Sequence, residues 1–188
     1  MSELKEYLSL NSPKRNLYGC NYYEISTGLA DRAFIDDIIL HNPYISQIIE
    51  LGTFKGVTSL HLGMSARVME KDFHTFDIED LRPLKIKNAW LDNMYFYQED
   101  ILSLNQNLVN IISKPNTLIF IDNGDKEKEF NMYVPFLGPN SIVIIHDWET
   151  EVSLKNIEET IDNFLLEPYN EELGNVLGTH CRAWRIIG

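Results

Sequence analysis

Short apolar runs alternate with longer amphipathic stretches along most of the chain. The runs at 45–51, 73–77, 94–97, 117–122, 141–146 and 181–187 predict strands. Leu118 to Ile121 and Ile142 to Ile145 are apolar without interruption, as in strands covered on both faces of a parallel sheet. Between the strands lie helical patterns. Leu60, Met64 and Val68 recur at spacing four within 57–71, a stripe expected to face the core. Leu104, Leu108, Ile111 and Ile112 repeat the pattern before Pro115, and Phe130, Tyr133, Val134 and Leu137 repeat it before Gly138-Pro139-Asn140. Residues 31–40 predict a helix entering the first strand, and 154–166 another, ended by Pro168. A polar stretch then leads to the last strand, reached through a loop and therefore expected to be antiparallel.

This alternation defines an α/β chain: a doubly wound, mostly parallel sheet with an antiparallel last strand and helices on both faces. The expected organisation is a single domain over 1–188, with a helical cover at 1–44 and an α/β core at 45–188. In such sheets ligands bind beyond the carboxyl ends of the strands, near the reversal of strand order. Residues following each strand are thus the candidates for chemistry.

Composition narrows the partners. The 188 residues carry 16 Lys+Arg and 28 Asp+Glu, a net charge of −12. That balance argues against nucleic acid and anionic membranes as partners, and it tolerates a cationic ligand. No apolar run approaches a membrane span, and the first residues lack a secretory pattern. Cys20 and Cys181 form no metal or redox spacing, and two plain thiols suit the cytoplasm.

The first strand ends in Glu50-Leu51-Gly52-Thr53-Phe54-Lys55-Gly56. Gly52 lets the backbone approach a ligand and Gly56 lets the helix pack closely. Phe54 stands where a dinucleotide loop has its second glycine, and no G-K-[ST] follows, so a nucleoside without phosphates suits the turn better than a pyrophosphate. Asp77 follows at the end of the second strand, where a carboxylate can accept two ribose hydroxyls; its alternative is a solvated carboxylate in an acidic loop. Asp100 either bonds an adenine amino group, with Ile101 over the ring face, or is a loop residue.

These residues, with Phe120-Ile121-Asp122-Asn123-Gly124-Asp125-Lys126 and Val143-Ile144-Ile145-His146-Asp147, resemble the class I S-adenosylmethionine-dependent methyltransferases. The likeness covers roughly 45–150 and is greatest to the small-molecule and sugar O-methyltransferase branch, with macrocin-type and cephalosporin-hydroxylase-like members. It implies the Rossmann-like version of the same sheet. It also implies S-adenosyl-L-methionine as cofactor, with Glu50, Gly52, Thr53 and Gly56 around its methionine part, Asp77 at the ribose and Asp100 at the adenine.

Asp122 and Asp147 end the fourth and fifth strands. If those strands are neighbours, about 4.8 Å apart, the two carboxylates either share a divalent ion such as Mg²⁺, with Asn123 or a substrate hydroxyl completing its shell, or cap the following segments. Lys126 and His146 are the candidate general bases, alongside Asp122 as a third catalytic residue. The family often carries Asp-Gly-Asp-His at strand four; here the segment is one residue longer and has Lys126 in place of His. His41, His61, His74 and His180 share no ligand spacing, and Trp148, Tyr22 and Tyr23 are candidate walls of an acceptor site. The expected activity is methyl transfer to a hydroxyl of a small-molecule acceptor, with homo-oligomerisation left open. The alternatives are an NAD-dependent oxidoreductase on a similar sheet, which Phe54 disfavours, or a non-catalytic module that binds a nucleotide or a partner.

Overall fold

The structure, a computed structural model, describes residues 27–187. Cys20, Tyr22, Tyr23 and most of the expected N-terminal cover lie outside the described residues.

Helix α1 (Leu29–His41) leads into β1 (Gln47–Leu51), followed by α2 (Val57–Val68), β2 (Asp72–Asp77), the short α3 (Leu84–Lys87) and β3 (Met94–Gln98). The second half runs α4 (Gln106–Ile112), β4 (Thr117–Ile121), α5 (Lys126–Tyr133) with a 3₁₀ turn at Val134–Phe136, and β5 (Ile142–Ile145). It closes with α6 (Leu154–Asn163), β6 (Leu166–Pro168), α7 (Glu171–Leu177) and β7 (Arg182–Ile186). The seven strands form one sheet in the order β3-β2-β1-β4-β5-β7-β6. β1 to β5 pair in parallel, and β7 is antiparallel to both β5 and β6. The chain winds outward from β1 to β3, then returns to the other side of β1, so strand order reverses between β1 and β4.

Every residue of β1, β4 and β5 is buried. Successive side chains take opposite faces of the sheet. Ile48, Leu118, Phe120 and Ile144 pack with α1 and α2, while Ile49, Ile119, Ile121 and Val143 pack with α4 and α5.

The stripe expected on α2 differs. Leu60 is buried, but Met64 is 47% and Val68 80% exposed, and the helix buries Val57, Ser59, Leu62, Gly63 and Ala66 instead. At 3.6 residues per turn, a row of strict spacing four drifts about 40° per step around the helix, so its far end leaves the core. The last strand is likewise not reached through a loop. Leu166–Pro168 forms an edge strand on β7 and α7 precedes the final strand, so α6 stops at Asn163 rather than at 166. Among the described residues no helix is long and apolar enough to cross a membrane.

Candidate active site

The β1 turn is held from three sides. Gly52 has φ +100°, and a Cβ there would lie 2.6 Å from the Asp122 carbonyl oxygen, so this glycine admits the chain after β4 rather than a ligand. Gly56, also left-handed, caps α2. Asp77 closes the turn: its Oδ2 accepts the Phe54 N–H at 2.7 Å, and its Oδ1 the Glu79 N–H at 3.3 Å. Thr53 and Thr75 share a hydroxyl contact of 2.6 Å beneath it.

Glu50 lies under this turn rather than in the open. Its side chain is wholly buried, and its Oε2 accepts the hydroxyls of Thr75, at 2.6 Å, and Ser59. Burial pushes its pKa up to about 8 against the lowering effect of those two bonds, with the charges of Asp122 and Asp77 adding to the rise. Asp100 is exposed and bonds the Leu102 N–H at 2.8 Å, while Ile101 belongs to the core instead of offering a ring-facing surface.

The second group of residues gathers at the ends of β4 and β5. The register pairs Ile121 with Ile145, so His146, not Asp147, stands opposite Asp122. Asp147 comes back to them through a left-handed backbone (φ 57°). His146 Nδ1 lies 2.9 Å from Asp122 Oδ1 and 3.3 Å from Asp147 Oδ2, and its Nε2 lies 3.5 Å from Asp31 Oδ2. Lys126, on the first turn of α5, places Nζ 2.7 Å from Glu151 Oε2, 3.0 Å from Asp147 Oδ2 and 4.0 Å from Asp122 Oδ1.

These surroundings decide the charges. Burial pulls the His146 pKa down, but the bond to Asp122, the Asp31 carboxylate 3.5 Å from Nε2 and the charges of Asp122 and Asp147 outweigh it and carry it up to about 10. Lys126 is shifted the same way: burial opposes, while its bonds to Glu151 and Asp147 raise it. Both expected bases therefore hold their protons at neutral pH and act as cations; neither offers a lone pair. Of the two strand-end carboxylates that face these cations, Asp147 is the more accessible, its side chain 29% exposed against 6% for Asp122.

The expected Mg²⁺ shell does not fit this donor set. Mg²⁺ takes oxygens in a near-regular octahedron. Here a nitrogen, His146 Nδ1, is the third group grouped with Asp122 and Asp147. Asn123 donates through Nδ2 to Glu129 Oε1 at 2.9 Å. The Lys126 ammonium already contacts Asp147.

Two residues of the cluster escape a reading of the sequence: Asp31, from α1, and Glu151, from the turn after β5. Asp31 Oδ1 accepts the Thr179 hydroxyl at 2.6 Å and the His180 N–H at 2.8 Å, and Oδ2 accepts the Gly28 N–H at 2.7 Å. Of the remaining histidines, His180 reaches the cluster only through its backbone N–H, His61 pairs with Asp36, His74 stacks on Tyr95 and Tyr97, and His41 is exposed. An open cavity of about 710 Å³ lies beside Glu151, with Trp148, Glu127, Glu149, Glu171 and Arg182 in its wall. Trp148 thus borders a space, and its ring also meets Trp184 edge-on at 5.4 Å.

The sheet, its reversal point and the antiparallel final strands are those of the Rossmann-like methyltransferase fold. No family model matches the chain, and no curated protein does. Among solved structures, a Staphylococcus aureus protein described as a candidate caffeoyl-CoA O-methyltransferase superposes with a TM-score of 0.60 at 16% identity, over 100% of this chain and 91% of that one. CmcI with Mg-SAM gives a TM-score of 0.67 at 15% identity, over 95% and 83%. The SAH-bound methyltransferase PaMTH1 of Podospora anserina gives 0.59 at 11%, over 100% and 87%. At these identities the likeness is one of fold.

Proposed function

We propose that this chain transfers a methyl group from S-adenosylmethionine to a hydroxyl oxygen of a small molecule or sugar. The observation that carries the reading is the meeting of two acidic groupings at the reversal point of the sheet. Gly52 brings the β1 turn, closed by Asp77, against the backbone of Asp122, the first member of the charged cluster beyond β4 and β5. A nucleoside on the β1 and β2 side would then present its reacting end to Asp147 and Lys126.

The turn suits that ligand. Phe54, 48% exposed, denies a pyrophosphate its glycine, and Asp77 and Asp122 flank the turn with carboxylates suited to a cation. Bound there, S-adenosylmethionine would supply a sulfonium methyl carbon for in-line attack by the acceptor oxygen, the O–C bond forming as the C–S bond breaks and its electron pair stays on sulfur. The protein's part is alignment and proton transfer. The cavity beside Glu151 receives the acceptor and Trp148 walls it; Asp147, next in the chain to Trp148 and 3.0 Å from Lys126 Nζ, takes the hydroxyl proton as the O–C bond forms.

Calorimetric titration with S-adenosylhomocysteine tests the reading. The protein should bind it and show no comparable affinity for NAD. Asp77→Asn keeps an oxygen for the Phe54 N–H but loses the carboxylate charge, so affinity should fall on the order of tenfold with the melting temperature little changed. An Asp77→Asn protein with undiminished affinity would remove Asp77 from the ribose role, and absence of binding to the parent protein would end the proposal.

A further inference from the structure

We propose that Lys126 is a built-in cation standing in place of a divalent metal ion, so that the site is complete without metal. An ion shared by Asp122 and Asp147 would lie between Asp122 Oδ1 and Asp147 Oδ2. Those two oxygens already face nitrogen: Nζ of Lys126 is 3.0 Å from the second and 4.0 Å from the first, and Nδ1 of His146 is 3.3 Å and 2.9 Å from the same pair. A metal would need both oxygens at about 2.1 Å, beside an ammonium that repels it.

The placement of Lys126 supports a dedicated role. A cation in the first turn of a helix is opposed by the positive end of the helix dipole. Lys126 occupies that position in α5, and its side chain is only 6% exposed. What holds it there is the carboxylate set, Glu151 at 2.7 Å together with Asp147 and Asp122. The geometry around it is fixed from below as well, because Asp31 lies against the far nitrogen of His146 at 3.5 Å.

The consequence for the acceptor rests on the methyl-transfer reading. An ammonium donates hydrogen bonds and has no coordination shell to complete. One acceptor hydroxyl therefore suffices, and a vicinal pair of hydroxyls, which a metal ion can chelate, is not required.

The test does not need the acceptor. The full chain, treated with chelator and dialysed, is titrated with Mn²⁺, and free Mn²⁺ is read by electron paramagnetic resonance. The parent protein should bind Mn²⁺ no more tightly than the Asp122→Asn/Asp147→Asn variant, both showing only weak association with surface carboxylates. Lys126→Met, which keeps most of the stem and removes the charge, should gain affinity on the order of tenfold or more. One tight equivalent in the parent protein, lost in the double variant, would overturn the proposal without reference to any other variant. So would a Lys126→Met protein that binds no better than its parent. S-adenosylhomocysteine binding is measured on the same parent sample: its failure would remove the methyl-transfer reading and leave the ion result standing.

Discussion

Glu50 is a carboxyl at the end of a fully buried strand, with Oε1 lacking any hydrogen-bond partner. Its ionised form is disfavoured by burial, so the folded protein keeps the proton up to about pH 8, while an unfolded chain loses it near its ordinary 4.5. The folded state binds more protons across that interval, and stability falls as pH rises through it. The contribution is fully present below pH 4.5 and lost above about 8. Glu50→Gln retains a neutral group of the same shape. Denaturant melts from pH 5 to 8 should therefore be flatter in Glu50→Gln than in the parent, with the variant gaining most, by about 1–4 kcal/mol, at the alkaline end. A parallel slope in the two proteins would mean that Glu50 is ionised inside the fold. The sequence places this residue at a strand end, the correct location for chemistry. Whether it opens to the crevice or turns under it depends on Ser59 and Thr75, 9 and 25 positions away, and no local pattern records that choice.

At the scale of elements, periodicity serves where a segment buries one regular face. The five parallel strands are legible because each is a short run rich in apolar, aromatic or β-branched residues and bounded by turn residues, even β2, where Phe73, Thr75 and Phe76 carry the pattern among polar neighbours. The edge strand β6 is not: three residues ending in Pro168 offer no alternation, and its pairing belongs to β7. Of the charged cluster, Asp122, Lys126, His146 and Asp147 are legible from their positions after β4 and β5. Asp31 is not, since it enters from α1, 115 positions before His146 in the chain. That helix is docked by its apolar face, by Asp36 and Asp37, and by Asp31, the carboxylate that reaches the cluster. Burial raises the Asp31 pKa, but the His146 ring 3.5 Å away and bonds from Thr179, His180 and Gly28 together hold it well below the usual range. Asp31→Ala would leave the Gly28 and His180 N–H groups and the Thr179 hydroxyl without this acceptor, and His146 without its lower partner. Urea titration at neutral pH should show a loss on the order of 2–4 kcal/mol. Because Asp31 ties α1 to the approach to β7, amide exchange should also quicken in both segments; a change confined to α1 would mean that the tether does not couple them.

The whole molecule carries a charge of −12, and several of its acidic groups gather beyond the carboxyl ends of the strands. Asp77 and Asp122 meet at the reversal point, and Asp147, Glu151 and the acidic cavity wall continue the same side. Lys126 and His146 offset part of this locally, so a negative field remains over the crevice. S-adenosylmethionine bears one more positive charge than S-adenosylhomocysteine and otherwise differs by a methyl group. If the crevice holds the nucleoside as proposed, the sulfonium form gains from that field and the thioether form does not. Salt shortens the reach of the field from about 10 Å at 0.1 M to about 3 Å at 1 M. The affinity for S-adenosylmethionine should then fall as salt is raised, while that for S-adenosylhomocysteine stays nearly constant. Calorimetry of both ligands across that range measures the difference directly. Equal salt dependence would place the sulfur away from the acidic ends of β1, β2 and β4, and with it the reacting end of the site.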